Sequence, residues 1–145
     1  MPSRPEDSLQ LDELWSFVWC RKNWVWIWLV MCKRTRQIVA YFTGDRSIKS
    51  AFELKKRIPA AYQHCVSVSD YWEAYQVFDP DRHLQVSKST GLTNHIERDN
   101  GIMRQRIVRL ARDTLRYSRC AEMHDAVIKL WILAHNQRCS ENIFI

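Results

Sequence analysis

The nine-residue run "WVWIWLVMC", Trp24–Cys32, restricts this chain more than any other stretch. It holds no charged residue, and basic residues close it on both sides (Arg21 and Lys22; Lys33 and Arg34). A helix that crosses a bilayer needs about 20 apolar residues, so the run is far too short to span. It is rich in Trp and β-branched residues, and so reads as a buried strand at the centre of a sheet.

Its neighbours supply the rest of that sheet. Leu11 to Trp19 is β-prone, "CRKN" is a turn, "KRTR" is a polar turn, and "QIVAYFT" is a third strand. Three strands joined by short polar turns form an antiparallel meander, which "GDRS" ends. Ser47 is placed to cap a helix that starts at Ile48 and stops before Pro59. "CVSVS" is a short strand ending at Asp70. "YWEAYQVF" reads as a short helix closed by "DPD", and "HLQV" as a fifth strand. Asn94 opens a long helix with Ile96, Met103, Ile107 and Leu110 near one face. A last helix carries Met123, Val127, Leu130, Trp131 and Ala134 as its apolar stripe. The order β-β-β-α-β-α-β-α-α predicts an α/β domain, a five-stranded mixed sheet with helices packed on it and an extra C-terminal helix. Residues 1–8, with two prolines, read as a loose lead; 9–138 as the domain; 139–145 as a tail.

Composition narrows the class. At 145 residues, 46% of them apolar, the chain can bury a core as one domain. A formal charge of +6 favours an anionic partner such as nucleic acid. The five cysteines include no CxxC pair, which argues against a zinc ribbon and a disulfide framework. The N-terminal segment has no apolar leader, so a cytoplasmic protein without a membrane segment is expected.

"LQLDELWSF" places two acids side by side in a strand that faces a core. Glu13 is the expected solvent-facing one, and Asp12 the carboxylate held near the sheet centre. Asp12, Asp70 and Glu97 are far apart in sequence, yet stand on strand one, at the end of strand four and in the first turn of the long helix. Gathered at strand ends, such carboxylates can bind two divalent cations about 4 Å apart and promote phosphoryl transfer. Oxygen ligands suit Mg²⁺ or Mn²⁺. With sixteen acids in the chain, spacing alone decides little. Asp70 also suits the N-cap of the "YWEAY" helix. Glu97, three residues after Asn94, also fits a capping box. Seven arginines stand between Arg98 and Arg119. By default such a run is a solvated helix face, but Arg98, Arg104, Arg109 and Arg112 also suit DNA phosphate. His124 and Asp125 are either a polar pair facing the site or ordinary helix surface. Trp24, Trp26 and Trp28 alternate and should share one sheet face, for core packing rather than base stacking.

Four blocks occur in order: "LDELWSF", "GDRS", "SDYWEAY" and "HIERDNGIMRQRIVRLARDTLRYSRCAEMHDAVI". Together they resemble the transposases of insertion sequence one, in the second-frame, InsB type. That family shows D-E-x-W, G-[DE]-R-[ST], T-D-x-W-x-x-Y, and I-E-R-x-N followed by a basic helix and S-x-x-x-E-[ML]-H-D. The resemblance spans residues 9 to 135. It implies an RNase H-like fold and a DDE catalytic domain, with Asp12, Asp70 and Glu97 as the catalytic and metal-binding carboxylates; Arg98 and Asn100 lie in the third carboxylate's block. It further implies Mg²⁺ or Mn²⁺ as cofactor, transposon ends and target DNA as partners, and a homo-oligomer on DNA. The expected activity is metal-dependent DNA strand cleavage and strand transfer. The alternative is an idle DNA-binding or regulatory remnant. Ser69 departs from the family's Thr, and Tyr71 from its Gly. The upstream zinc-finger and helix-turn-helix region of full-length family members has no counterpart here. A catalytic-domain product, the downstream half of a frameshifted gene, or a decayed copy is expected.

Overall fold

The computed structural model describes residues 1–111 and 114–141. The chain runs β1 (Ser8–Phe17), β2 (Trp24–Cys32), β3 (Ile38–Gly44), α1 (Ile48–Arg57), β4 (Val66–Ser69), β5 (His83–Gln85), α2 (Asn94–Arg106) and α3 (Ala121–Ser140). The five strands form one open mixed sheet in the order β3-β2-β1-β4-β5. The two short turns make β1–β2 and β2–β3 antiparallel, whereas β4 and β5 join parallel to β1 and β4. Ser47 caps α1 as expected, its side chain accepting from the Ser50 N–H.

The apolar run of β2 is explained by burial on both faces. Trp28, Val30 and Cys32 enter one core with Leu9, Leu11, Ala51, Leu54, Tyr75 and Phe78. Ile27, Leu29 and Met31 enter the other with Leu14, Ile96, Met103, Ile128 and Ile132. One core thus lies under α1, and the second under α2 and α3. All five cysteines are free. Among the described residues no helix is long and apolar enough to cross a membrane.

Three expectations are corrected. The "YWEAYQVF" helix is a 3₁₀ helix, Glu73–Val77. Side chains three apart eclipse in that geometry, and this lets Tyr75 and Phe78, 0% and 7% exposed, enter the same core. The long helix stops at Arg106, and Val108–Leu110 form a separate 3₁₀ turn after Ile107 leaves helical geometry (φ −95°, ψ 101°). Ile107 and Leu110 are nevertheless buried. The stripe of α3 is rotated from the expected one. His124, Ile128, Ile132 and Cys139 face inward, while Met123 and Leu130 are 51% and 67% exposed.

Polar anchors set that rotation. His124 is held between the Ser16 and Ser118 hydroxyls, 2.8 Å from each. Farther along, the Asn136 amide accepts from the Ile38 N–H and donates to the Ile38 carbonyl, both at 2.8 Å, beside the outer edge of β3. Of the expected tail, Cys139 and Ser140 belong to α3, and residues 142–145 lie outside the described residues.

Candidate active site and metal centre

The acids of the first strand meet those of the fourth because of register. β4 pairs parallel with β1 through Ser8↔Val66, Leu9↔Ser67 and Gln10↔Val68. Each pair differs by 58 residues, as do Asp12 and Asp70, so continuing the register sets these two acids opposite each other. Neighbouring strands lie about 4.8 Å apart. The ladder itself ends at Gln10, so the second half of β1 presents an open edge just where the acids stand. One carboxylate oxygen from each of Asp12, Glu13 and Asp70 lies within 4.8 Å of the others. Among the described residues this is the one trio of His, Cys, Asp or Glu side chains close enough to share a metal ion.

Alternation along β1 sends Asp12 and Glu13 to opposite faces. Asp12 faces α2, where Asn100 donates its amide to Oδ2 at 2.7 Å. Burial, with the Glu13 and Asp70 carboxylates close by, pushes Asp12 up to about 7, and Lys88 works against this. Glu97 lines the same cleft from the first turn of α2. Its Oε1 accepts from the Thr93 hydroxyl at 2.5 Å. The expected capping-box bond from the Asn94 N–H is not made, because that N–H goes to the Gly91 carbonyl. Asp70 does act on the turn after it, Oδ1 accepting from the Trp72 N–H at 3.1 Å.

Glu13 is the larger surprise. It was expected to face solvent, and its side chain is only 2% exposed. Its Oε1 accepts from Arg46 Nε and NH2 at 3.0 and 2.5 Å, and its Oε2 from the Tyr75 hydroxyl at 2.7 Å. Burial and the Glu13 carboxylate raise the Tyr75 phenol well above its usual range, so it stays a donor. The Arg46 guanidinium is stacked between two indoles, 4.5 Å from the Trp26 ring and 4.0 Å from the Trp72 ring. Such stacking holds the fork in one place while it neutralises Glu13. The sequence reading missed Arg46 and Tyr75 as parts of the site. The signal was present: Arg46 belongs to "GDRS", and Trp72 and Tyr75 belong to "SDYWEAY".

The expected phosphate-binding arginines separate. Arg104 lines the cleft, and donates to the Leu110 and Trp15 carbonyls, each at 3.1 Å. Arg98 is 61% exposed and leans on Asp99 at 3.6 Å. Arg109 is half-buried, with its charge felt at His124. Arg112 lies outside the described residues. Lys88, not singled out from the sequence, lines the cleft. His124 is 2% exposed and bonded on both ring nitrogens, and Asp125 accepts from Tyr41 and Thr43. That pair therefore ties α3 to β1 and β3.

The donor chemistry fits a hard divalent cation. The carboxylates that crowd together on the open strand edge are those of Asp12, Glu13 and Asp70, while Glu97 lines the cleft from α2 without joining that cluster. Beside them Asn100 Oδ1 is buried with no hydrogen-bond partner. Comparison with known proteins bears on the same stretch of chain. The family model described as IS1 transposase matches residues 8–138. Insertion element iso-IS1n protein InsB of Shigella dysenteriae is 36% identical over 129 residues, covering 87% of this chain and 94% of that protein. Insertion element IS1 protein InsB of Shigella flexneri is 29% identical over 119 residues, covering 82% and 88%. Insertion element IS1 9 protein InsB of Escherichia coli (strain K12) is 27% identical over 119 residues, covering 82% and 70%.

Proposed function

Because the chain belongs to the IS1 transposase family, InsB type, we propose that its acidic cleft carries out divalent-metal-dependent cleavage and transfer of DNA strands. The observation that carries this reading is the meeting of Asp12 and Asp70 through the parallel β1–β4 register, with Glu97 lining the same cleft from α2. The strand order, three antiparallel strands extended by two parallel ones, supports an RNase H-like DDE domain over residues 9–138. On this reading the partners are transposon ends and target DNA in the cytoplasm, and the chain works as a homo-oligomer on DNA.

Asp12, Asp70 and Glu97 would hold Mg²⁺ or Mn²⁺. When bound, two such ions activate an attacking oxygen and stabilise the leaving one. The chain's own groups prepare that chemistry. Asn100 fixes the Asp12 carboxylate by its 2.7 Å bond, which leaves the other oxygen for the cleft. Glu13 supplies negative charge from the opposite face but has both oxygens engaged, so it orients Arg46 rather than serving as a ligand. Lys88 and the arginines Arg98, Arg104, Arg109 and Arg112 are the cations proposed to meet DNA phosphates. In the first step water bonds to phosphorus at the element end and the P–O3′ bond breaks; the 3′-oxygen takes a proton. In the second the freed 3′-hydroxyl attacks a target phosphorus, and the target's own P–O3′ bond breaks.

The test is a strand-cleavage and strand-transfer assay on element-end DNA, in a context that supplies end recognition. Asp12→Asn, Asp70→Asn and Glu97→Gln should each abolish Mg²⁺-dependent product while DNA binding persists. An active triple variant would overturn the assignment of these three carboxylates, and an inactive wild-type chain that still binds DNA would return it to the reading of an idle DNA-binding remnant.

A further inference from the structure

The row Trp24, Trp26, Trp28 divides by depth. All three lie on one face of β2, paired across to Phe17, Trp15 and Glu13. Trp28 is fully buried, Trp26 is half-buried in the cleft wall, and Trp24 is 63% exposed. The α1 helix covers this face over Trp28 and Val30, and the row continues beyond it. A core-packing role therefore accounts for Trp28 and leaves Trp24 without one. Trp24 stands one pleat beyond Trp26, which lines the candidate DNA site, and its exposed indole offers a free π-face there.

The occupant is indicated by continuity and charge. Trp72, Arg46 and Trp26 already form a stack that starts two residues from Asp70. Trp24 follows Trp26 along the strand at about 6.8 Å, two residues of rise. Bases stack about 3.4 Å apart, so that spacing leaves room for one planar base beside Trp26. Two further cations, Lys88, which lines the cleft with Trp26, and exposed Lys22 in the β1–β2 turn, suit a polyanionic strand. Inside a duplex both π-faces of a base are covered by its neighbours. Only an unpaired or extruded base offers a face to an indole.

We propose that Trp24, with Trp26 beside it, is a stacking platform for one unpaired nucleobase of the strand whose phosphate enters the acidic cleft. This rests on the strand-transferase reading. It adds that the chain engages DNA with a base unpaired near the scissile phosphate. Stacking is tolerant of base identity, so the platform selects for strand opening rather than sequence.

The full chain is titrated, in buffer with EDTA, with two duplexes of equal length and charge. One carries 2-aminopurine paired; the other carries it unpaired at a frayed end. The expected result is about fivefold or more tighter binding to the frayed duplex, with 2-aminopurine quenched. Trp24→Ala should erase both the preference and the quench, and Trp24→Phe should keep most of each. Trp24→Leu retains apolar bulk without a large π-face and should behave as Trp24→Ala, which covers the case where Trp24→Ala folds poorly. Equal binding of the two duplexes by the wild-type chain would overturn the proposal, as would an unchanged preference in Trp24→Leu. If instead Trp24→Leu shifts a dimer to monomer and leaves DNA preference intact, the face belongs to a second copy and the proposal fails. Asp12→Asn should keep the preference while losing Mg²⁺-dependent cleavage. Failure of the catalytic reading and failure of the platform thus show in different measurements.

Discussion

Asn100 donates to Asp12 Oδ2 at 2.7 Å from the second turn of α2, and its own Oδ1 is buried without a partner. Asn100 therefore holds the carboxylate nearest the sheet centre while presenting one unsatisfied acceptor beside it. Groups that orient a metal ligand are typically worth 10–100-fold in affinity. Asn100→Ala should weaken Mg²⁺ or Mn²⁺ binding by about that factor, measured by titration calorimetry. Unchanged affinity would reduce Asn100 to a packing residue.

Crowded carboxylates repel until a cation offsets them. Asp12→Asn should therefore raise the melting temperature of the metal-free chain. Addition of 10 mM Mg²⁺ to the wild type should stabilise it by about 1 kcal/mol if binding is near-millimolar, a rise of a few degrees. The variant should gain little. A wild-type melting curve indifferent to both ions would speak against the site.

Glu97 accepts from the Thr93 hydroxyl, a bond that Gln can also accept. Glu97→Gln should change stability by less than about 1 kcal/mol and still lose strand transfer. Thr93→Val removes the donor and should leave much of the activity. Denaturant melts beside the transfer assay separate the two effects.

The sheet edge at β5 should be acid-sensitive. His83 lies between the Ser67 and Ser69 hydroxyls, at 2.6 and 2.8 Å, and burial pushes it down to about 4. A depressed histidine favours the neutral form in the folded state. Its contribution is present above the unfolded value near 6.5 and is lost as pH falls from there through about 4. Melting temperatures measured across pH 7 to 4 should drop by several degrees in the wild type and more shallowly in His83→Gln.

Two cations of the cleft should behave differently. Lys88 is exposed, so Lys88→Ala should leave stability unchanged and lower the salt slope of DNA binding by about one. Arg104 is bonded to two backbone carbonyls. Its loss should cost about 1–3 kcal/mol of stability, seen in urea titration, whatever it does to DNA.

Much of this was legible in the chain. The five strands and the short polar turns follow from alternation and turn chemistry, and β2 from an apolar run that only burial on both faces accommodates, although the central place it was expected to take belongs to β1. Glu13 was misread because strand alternation sends neighbouring residues to opposite faces, and with Asp12 placed inward the charged Glu13 is normally the solvated one. Its partners Arg46 and Tyr75 lie 33 and 62 residues away, and local pattern carries no record of pairs so distant. The rotation of α3 was hidden for a related reason. That helix is apolar on more than one side, so periodicity cannot choose a face, and two polar side chains, His124 and Asn136, decide it. The meeting of Asp12 with Asp70 needed strand register, which only pairing across the sheet defines.

The Asn136 amide beside β3 has one more consequence. An outer strand with idle backbone groups invites another extended chain to zip onto it. By taking both the N–H and the carbonyl of Ile38, a helix side chain counterfeits the next strand and closes the Ile38 end of that margin without a proline or a charge. An intruding strand would first have to prise α3 away from the sheet. The guard against fibrous self-association on this flank is therefore only as secure as the docking of the last helix.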